Sequence, residues 1–276
     1  MDIKLIGIDI DGTLLNSEGI LTEATVAALQ RAADRGIQVA FCTGRFCSEF
    51  SELLVQLPMV RYAVTCTGAE VLDLKTGQSL ARRCLSNQQH RRLYELLRPF
   101  DSMIQIFSEF DQRIHNSAQA LAHLDRFCGP KLAEMIRSSH VAEEDLDAYV
   151  AAYPGSANKI HVFYADRAEK EKAMKQLREE PIFLSESAPL DLEAMPLGVD
   201  KGVGLRDLAE TLGIRRQQVM AVGDSANDIA MLRYAAFGVA MGNASAEAKA
   251  AADYITASND QDGLAQAVDG LLEGRI

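Results

Sequence analysis

The chain has 276 residues, 48% of them hydrophobic, and a formal charge of −11 from 39 acidic against 28 basic side chains. That is enough apolar material for one large domain or two ordinary ones, and the negative balance excludes a general nucleic-acid or anionic-membrane binder, which needs a cationic surface. Five cysteines (Cys42, Cys47, Cys66, Cys84, Cys128), an odd number without a C-x-x-C pair, suggest neither a disulfide framework nor a zinc knuckle. Reduced, cytoplasmic thiols are the expectation, with no targeting segment and no apolar run near the ~18–20 residues of a membrane span.

In chain order, Lys4–Leu15 reads KLIGIDIDGTLL. Its apolar residues Leu5, Ile6, Ile8 and Ile10 predict a buried strand, yet Asp9 and Asp11 stand at its far end. Alternate side chains of a strand share a face, so the two carboxylates are expected to point the same way. Burying them is costly unless a charge or hydrogen bonds answer. TEATVAALQRAADRG follows, a helix with Thr22 as N-cap, Val26, Leu29 and Ala33 at helical spacing and Gly36 as its stop. IQVAFC is a short apolar run that suits a parallel strand covered on both faces. RFCSEFSELLVQL is amphipathic through Phe46, Phe50, Leu53, Leu54 and Leu57, and RYAVTC is a third strand.

The texture then changes. EVLDLKTGQSLARRCL reads as a hairpin turning at Lys75-Thr76-Gly77. Polar helices follow in NQQHRRLYELLRPF and DRAEKEKAMKQLREE, with strand-like SMIQIF, QRIHN, NKIHVFY and DLEAM among them. From MPLGVDKG onward the alternation returns: KGVGLRDLAETLG (helix), QVMAVGD (strand), NDIAMLRYA (helix), FGVAM (strand), ASAEAKAAA (helix), DYIT (strand). The expected class is α/β, a Rossmann-like doubly wound parallel sheet with an α+β domain inserted. The expected boundaries are residues 1–83 and 189–276 for the core and 84–188 for the insert.

Four short segments bear groups suited to phosphate or a hard cation. Asp9 and Asp11 end the first strand, where open α/β sheets bind ligands. Gly7 to Glu18 also fits part of an EF-hand loop, but its first ligand is missing and six residues cannot supply the entering helix. FCTGR ends the second strand with Thr43, which alone reads equally as a helix cap. VGDSANDIAML brings Asp224, Asn227 and Asp228, whose ordinary explanation is capping and the helix dipole. Lys201 is harder to dismiss, because a cation at a helix start opposes the macrodipole unless a negative partner is near.

Together the four resemble the haloacid dehalogenase (HAD) superfamily. D-x-D-G-T stands as Asp9 to Thr13, the second motif as Thr43 with Gly44 and Arg45, the third as Lys201, and G-D-x-x-x-D as Gly223-Asp224 through Asp228. The insertion between the second and third motifs, with TGAEV, MPLGVDKGVGL and AMGNA, is similar to the Cof-type subfamily with a C2B cap. Thr67 stands where that subfamily usually has Asn.

The resemblance implies a Mg²⁺-dependent phosphatase of small phosphorylated metabolites, sugar phosphates first. Asp9 is the implied nucleophile and Asp11 the general acid and base. Thr43, with the amides of Asp11 and Gly44, would hold the phosphoryl oxygens, and Lys201 would answer their charge. Gly12, Gly44, Arg45 and Asn227 are the expected substrate contacts. The implied metal ligands are Asp9, the Asp11 main-chain carbonyl, Asp224 and Asp228, the last directly or through water. His115 and Lys159 are expected to tune substrate choice from the insert. A phosphomutase of the same superfamily and a phosphometabolite sensor without catalysis are the alternatives.

Overall fold

The structure, a computed structural model, describes residues 1–186 and 188–276. The chain divides into two compact units, residues 1–82 with 199–276 and residues 83–198.

The first unit begins β1 (Leu5–Ile8), α1 (Glu23–Asp34), β2 (Gln38–Cys42), α2 (Ser51–Gln56), β3 (Tyr62–Thr65), β4 (Glu70–Asp73) and β5 (Gln78–Arg82). Thr22 caps α1 by accepting from the Thr25 N–H, which satisfies one of the orphan amides of the first turn. The amphipathic stretch after β2 does not begin a helix at once. Phe46 is extended, a 3₁₀ turn covers Cys47–Glu49, and only then does α2 start. Lys75-Thr76-Gly77 turns the β4–β5 hairpin, and buried Glu70 is answered across it by Arg82.

The inserted unit contains α3 (Asn87–Leu97), β6 (Ser102–Ser108), β7 (Ile114–Ser117), α4 (Ala118–Ala122), α5 (Pro130–Ser139), β8 (His140–Glu143), α6 (Leu146–Ala152), β9 (Ala157–Tyr164), α7 (Arg167–Leu177), β10 (Ile182–Ser185) and β11 (Asp191–Pro196). Its six strands run in the order β10-β11-β9-β6-β7-β8. The second boundary, expected at residue 189, lies at 199 instead. The reason is that β11 pairs antiparallel with β9 and so completes the inserted sheet. His115 and Lys159 are not free surface groups: His115 is 3% exposed between Glu143 and Asp111 at 2.7 and 2.9 Å, and Lys159 is 1% exposed, paired with Glu193 over the Phe107 ring.

The first unit then resumes with α8 (Lys201–Thr211), β12 (Val219–Gly223), α9 (Ile229–Tyr234), β13 (Phe237–Ala240), α10 (Ala246–Ala251), β14 (Tyr254–Ile255) and α11 (Gly263–Leu272). Its sheet has the order β14-β13-β12-β1-β2-β3-β4-β5, parallel from β14 through β3 and antiparallel beyond. Leu5, Ile6 and Ile8 of β1 are fully buried, each contributing about 1.5–3 kcal/mol of apolar burial. β1 is flanked by β2 on one side and β12 on the other, so the chain's direction of winding reverses there. A crevice at such a switch point is where doubly wound sheets bind ligands.

Candidate active site

β1 stops at Ile8, before either aspartate. The Asp9 N–H still donates to the Val222 carbonyl of β12 at 3.0 Å, which anchors Asp9 at the switch point. Beyond it the chain turns, and the two carboxylates part company. Asp9 is 4% exposed and bonds Lys201, whereas Asp11 is exposed and bonds Arg45. The expected shared face therefore does not exist, because β1 ends at Ile8, three residues short of Asp11, and its alternation does not reach the pair.

Lys201 opens α8 behind its N-cap, Asp200, whose side chain accepts from the Val203 N–H at 2.8 Å. Its Nζ donates to Asp9 Oδ1 and to Asp228 Oδ1, both at 2.6 Å. These are the negative partners that reverse the unfavourable dipole. Burial alone would push the ammonium down, but Asp228 and Asp9 overcome it and hold Lys201 charged far above the ordinary range.

Asp224 follows β12, and ligand oxygens of Asp9, Asp224 and Asp228 lie within 4.8 Å of one another. Burial lifts the Asp9 carboxyl well above the carboxylate range against the pull of Lys201, with Asp228 adding to the lift. Burial and Asp228 likewise raise Asp224 to about 6, opposed by the hydrogen bond from Thr13. One ammonium facing three carboxylates leaves negative charge uncompensated, and an all-oxygen donor set with that charge fits a hard divalent cation. Asp228 spends much of its capacity within the loop. Its Oδ2 accepts from the Asp224 and Ser225 N–H groups, both at 2.9 Å, and from Ser225 Oγ at 3.2 Å.

Asp11 receives a forked pair from Arg45, Nε to Oδ2 at 2.9 Å and Nη2 to Oδ1 at 2.6 Å. Arg45, expected as a substrate contact, is thus engaged with a site carboxylate. Thr43 is buried at the end of β2, and its Oγ1 accepts from the Arg45 N–H at 3.1 Å. No helix starts at Arg45, so the hydroxyl shapes a loop around Gly44. Gly12 has φ +80°, and a Cβ there would stand 2.5 Å from Asp224 Oδ2; only glycine admits both the conformation and the approach. Asn227 accepts from Ser225 Oγ at 2.7 Å, inside its own loop.

A family model for haloacid dehalogenase-like hydrolases matches residues 6–268. The chain belongs to that family. This haloacid dehalogenase-like hydrolase is 31% identical to 5-amino-6-(5-phospho-D-ribitylamino)uracil phosphatase YcsE of Bacillus subtilis, over 97% of its own length and 95% of the relative's. It is 30% identical to 5-amino-6-(5-phospho-D-ribitylamino)uracil phosphatase YwtE of the same organism, over 99% of each. Among solved structures it is similar to a haloacid dehalogenase-like hydrolase from Bacteroides thetaiotaomicron, with a TM-score of 0.84 and 29% identity across 98% of this chain and 99% of that one.

Three site residues of this hydrolase had no assigned role in the sequence reading. Thr13 donates to Asp224 Oδ1 at 3.2 Å, and Ser225 bonds both Asn227 and Asp228. Asn243 of AMGNA donates to the Gly12 carbonyl at 2.8 Å, joining the loop after β13 to the loop after β1. Only their position inside the motifs marked Thr13 and Ser225, and nothing local marked Asn243.

Proposed function

We propose that this chain is a phosphatase of small phosphorylated metabolites that works through an aspartyl phosphate on Asp9, with Mg²⁺ as its cofactor. The observation that carries the reading is Lys201 bridging Asp9 and Asp228 at the switch point of the sheet. Lys201 holds Asp9 Oδ1, and Oδ2 has no hydrogen bond among the described residues, which leaves it as the attacking atom. The relatives named for a phosphoribitylamino-uracil support a substrate whose phosphate sits on a polyol chain, and sugar phosphates share that chemistry.

In the first step Asp9 Oδ2 bonds to phosphorus as the ester P–O bond breaks, and Asp11 gives its proton to the departing alkoxide. In the second, water attacks phosphorus, Asp11 takes its proton, and the acyl-phosphate bond breaks to return the Asp9 carboxylate and inorganic phosphate. Thr43 orders the loop that faces the phosphoryl oxygens, and Lys201 answers the charge they carry. Arg45 fixes the orientation of the Asp11 carboxylate through its fork. Asp9, Asp224 and Asp228, with the Asp11 main-chain carbonyl, would hold Mg²⁺, which when bound supplies charge neutralisation for the phosphoryl group.

Rapid acid quench of Asp9→Asn and Asp11→Asn variants with an aryl and an alkyl phosphate tests the scheme. Asp9→Asn should lose turnover and any phosphoenzyme. Asp11→Asn should be phosphorylated far faster by the aryl ester, whose phenolate needs little protonation, and should accumulate aspartyl phosphate. Substantial activity in Asp9→Asn, or equal indifference of both variants to the leaving group, would refute it.

A further inference from the structure

Three consecutive residues after β3 have left-handed backbone: Cys66 at φ 48°, Thr67 at φ 56° and Gly68 at φ 102°. Glycine takes that region freely, but L side chains do not, and a β-branched threonine is among the least suited. All three are buried. Closing the β3–β4 hairpin does not require this. Thr65 pairs with Glu70, so four residues span the turn, and loops of that length are most often built on a type I turn without a left-handed pair. Strain held at such a place calls for a functional reason.

The turn makes contact in two directions. On one side the Cys66 N–H donates to the Arg45 carbonyl at 3.1 Å and the Thr67 N–H to the Thr43 carbonyl at 3.0 Å, holding the backbone on either side of Gly44. On the other, Gly68 abuts the start of α8, where a Cβ would stand 2.0 Å from the Asp200 carbonyl oxygen and 3.1 Å from the Lys201 nitrogen. Gly204, one helical turn further along α8, makes the approach mutual: its own Cβ would lie 3.0 Å from Gly68 Cα and 2.3 Å from Val64 Cγ1. Backbone meets backbone, with no rotatable side chain between them to absorb an error.

We propose that the Cys66–Thr67–Gly68 turn sets the separation between the Thr43–Arg45 loop and Lys201, which makes Thr67 and Gly68 positioning residues of the reaction. The inference rests on the phosphatase reading, in which Thr43 orders the phosphoryl-facing loop and Lys201 answers the phosphoryl charge. Misplacing such groups by ~1 Å costs on the order of 10²-fold in rate. One backbone turn touching both elements fixes their spacing directly. At position 67 the backbone conformation acts, and asparagine tolerates that conformation better than threonine.

The test compares Gly68→Ala, Gly204→Ala and Thr67→Asn with the wild type for kcat and KM on an aryl phosphate, inorganic phosphate binding by calorimetry, and near-UV circular dichroism. Folded Gly68→Ala should lose ~10²-fold in kcat, with weaker phosphate binding. Gly204→Ala, which presses on the buried Val64 side chain and, less closely than Gly68→Ala presses on Asp200, on the Gly68 backbone, should lose about tenfold and serves if Gly68→Ala fails to fold. Thr67→Asn should keep kcat within about twofold and melt at a higher temperature. A folded glycine variant with wild-type kcat and wild-type phosphate affinity overturns the proposal. So does a folded Thr67→Asn that loses kcat, since its side chain would then be what acts. A wild type that hydrolyses no phosphate ester refutes the phosphatase reading instead, and phosphate affinity across the variants still decides the role of the turn.

Discussion

Lys201→Met removes a charge while keeping an apolar stem of similar length. In the structure Nζ bonds Asp9 and Asp228 at 2.6 Å each, and the side chain is 1% exposed. The variant therefore loses the one ammonium bonded to those carboxylates among the described residues. For catalysis the expected loss is ~10²- to 10³-fold in kcat, about 3–4 kcal/mol, the scale for deleting one preorganised charge-stabilising group. Stability changes too, because breaking a buried ion pair by removing one partner costs ~3–5 kcal/mol. Asp9 already sits well above the carboxylate range, so protonation relieves part of that cost. At ~2–4 °C per kcal/mol for a unit of this size, the full cost corresponds to roughly 6–20 °C, and the metal-free melting midpoint should fall by part of that. Added Mg²⁺ should raise the variant's midpoint more than the wild type's, since it supplies the missing positive charge. The α8 start itself keeps its Asp200 cap and loses nothing favourable with the cation. Steady-state kinetics on an aryl phosphate and thermal unfolding in chelator and in Mg²⁺ are the assays. A kcat within tenfold of wild type, or an unchanged midpoint in chelator, would refute the reasoning.

Chelation should abolish turnover, and Ca²⁺ should bind yet support little catalysis because its looser coordination misplaces Asp9; comparable rates with the two ions, or full activity in excess chelator, would contradict this. Because Asp224 is raised to about 6, protons should compete with Mg²⁺ and calorimetric affinity should fall as pH drops below that value, whereas a flat profile from pH 5 to 7 would show that Asp224 is not a ligand. In the inserted unit, burial and neighbouring Arg91 push His90 down to about 4, below its ordinary 6.5. The unfolded state then binds more protons between those values, so stability is full above pH 6.5 and falls by up to about 3 kcal/mol as pH drops toward 4. His90→Phe, which keeps the edge-on ring contact with Tyr153, should flatten that acid limb in circular-dichroism unfolding, and an unaltered slope would assign it elsewhere.

What the sequence determined by itself is what its chemistry makes local. Apolar runs such as Leu5–Ile8 and Val219–Gly223 specify buried parallel strands, Thr22 and Gly36 bound α1, and Asp9, Thr43, Lys201 and Asp224 each follow a strand or open a helix within a few residues. Those signals were enough for the α/β class and for the four segments that build the site. The short, half-exposed strand β8 has no such apolar run, and in β10 the run is only Ile182–Leu184, too short to mark a strand; the place of both comes from pairing with β7 and β11. Likewise β11 could not be assigned to its unit before its pairing with β9 was known. Tertiary structure alone decided that Asp9 turns inward to Lys201 while Asp11 turns outward to Arg45, since a strand continued through Asp11 would have set them on one face. It also decided that His115 and Lys159 are consumed by Glu143, Asp111 and Glu193, and that Gly68 meets Asp200, 132 positions on in the chain. Contacts of that span are set by how the sheet winds, and no local pattern of residues encodes them.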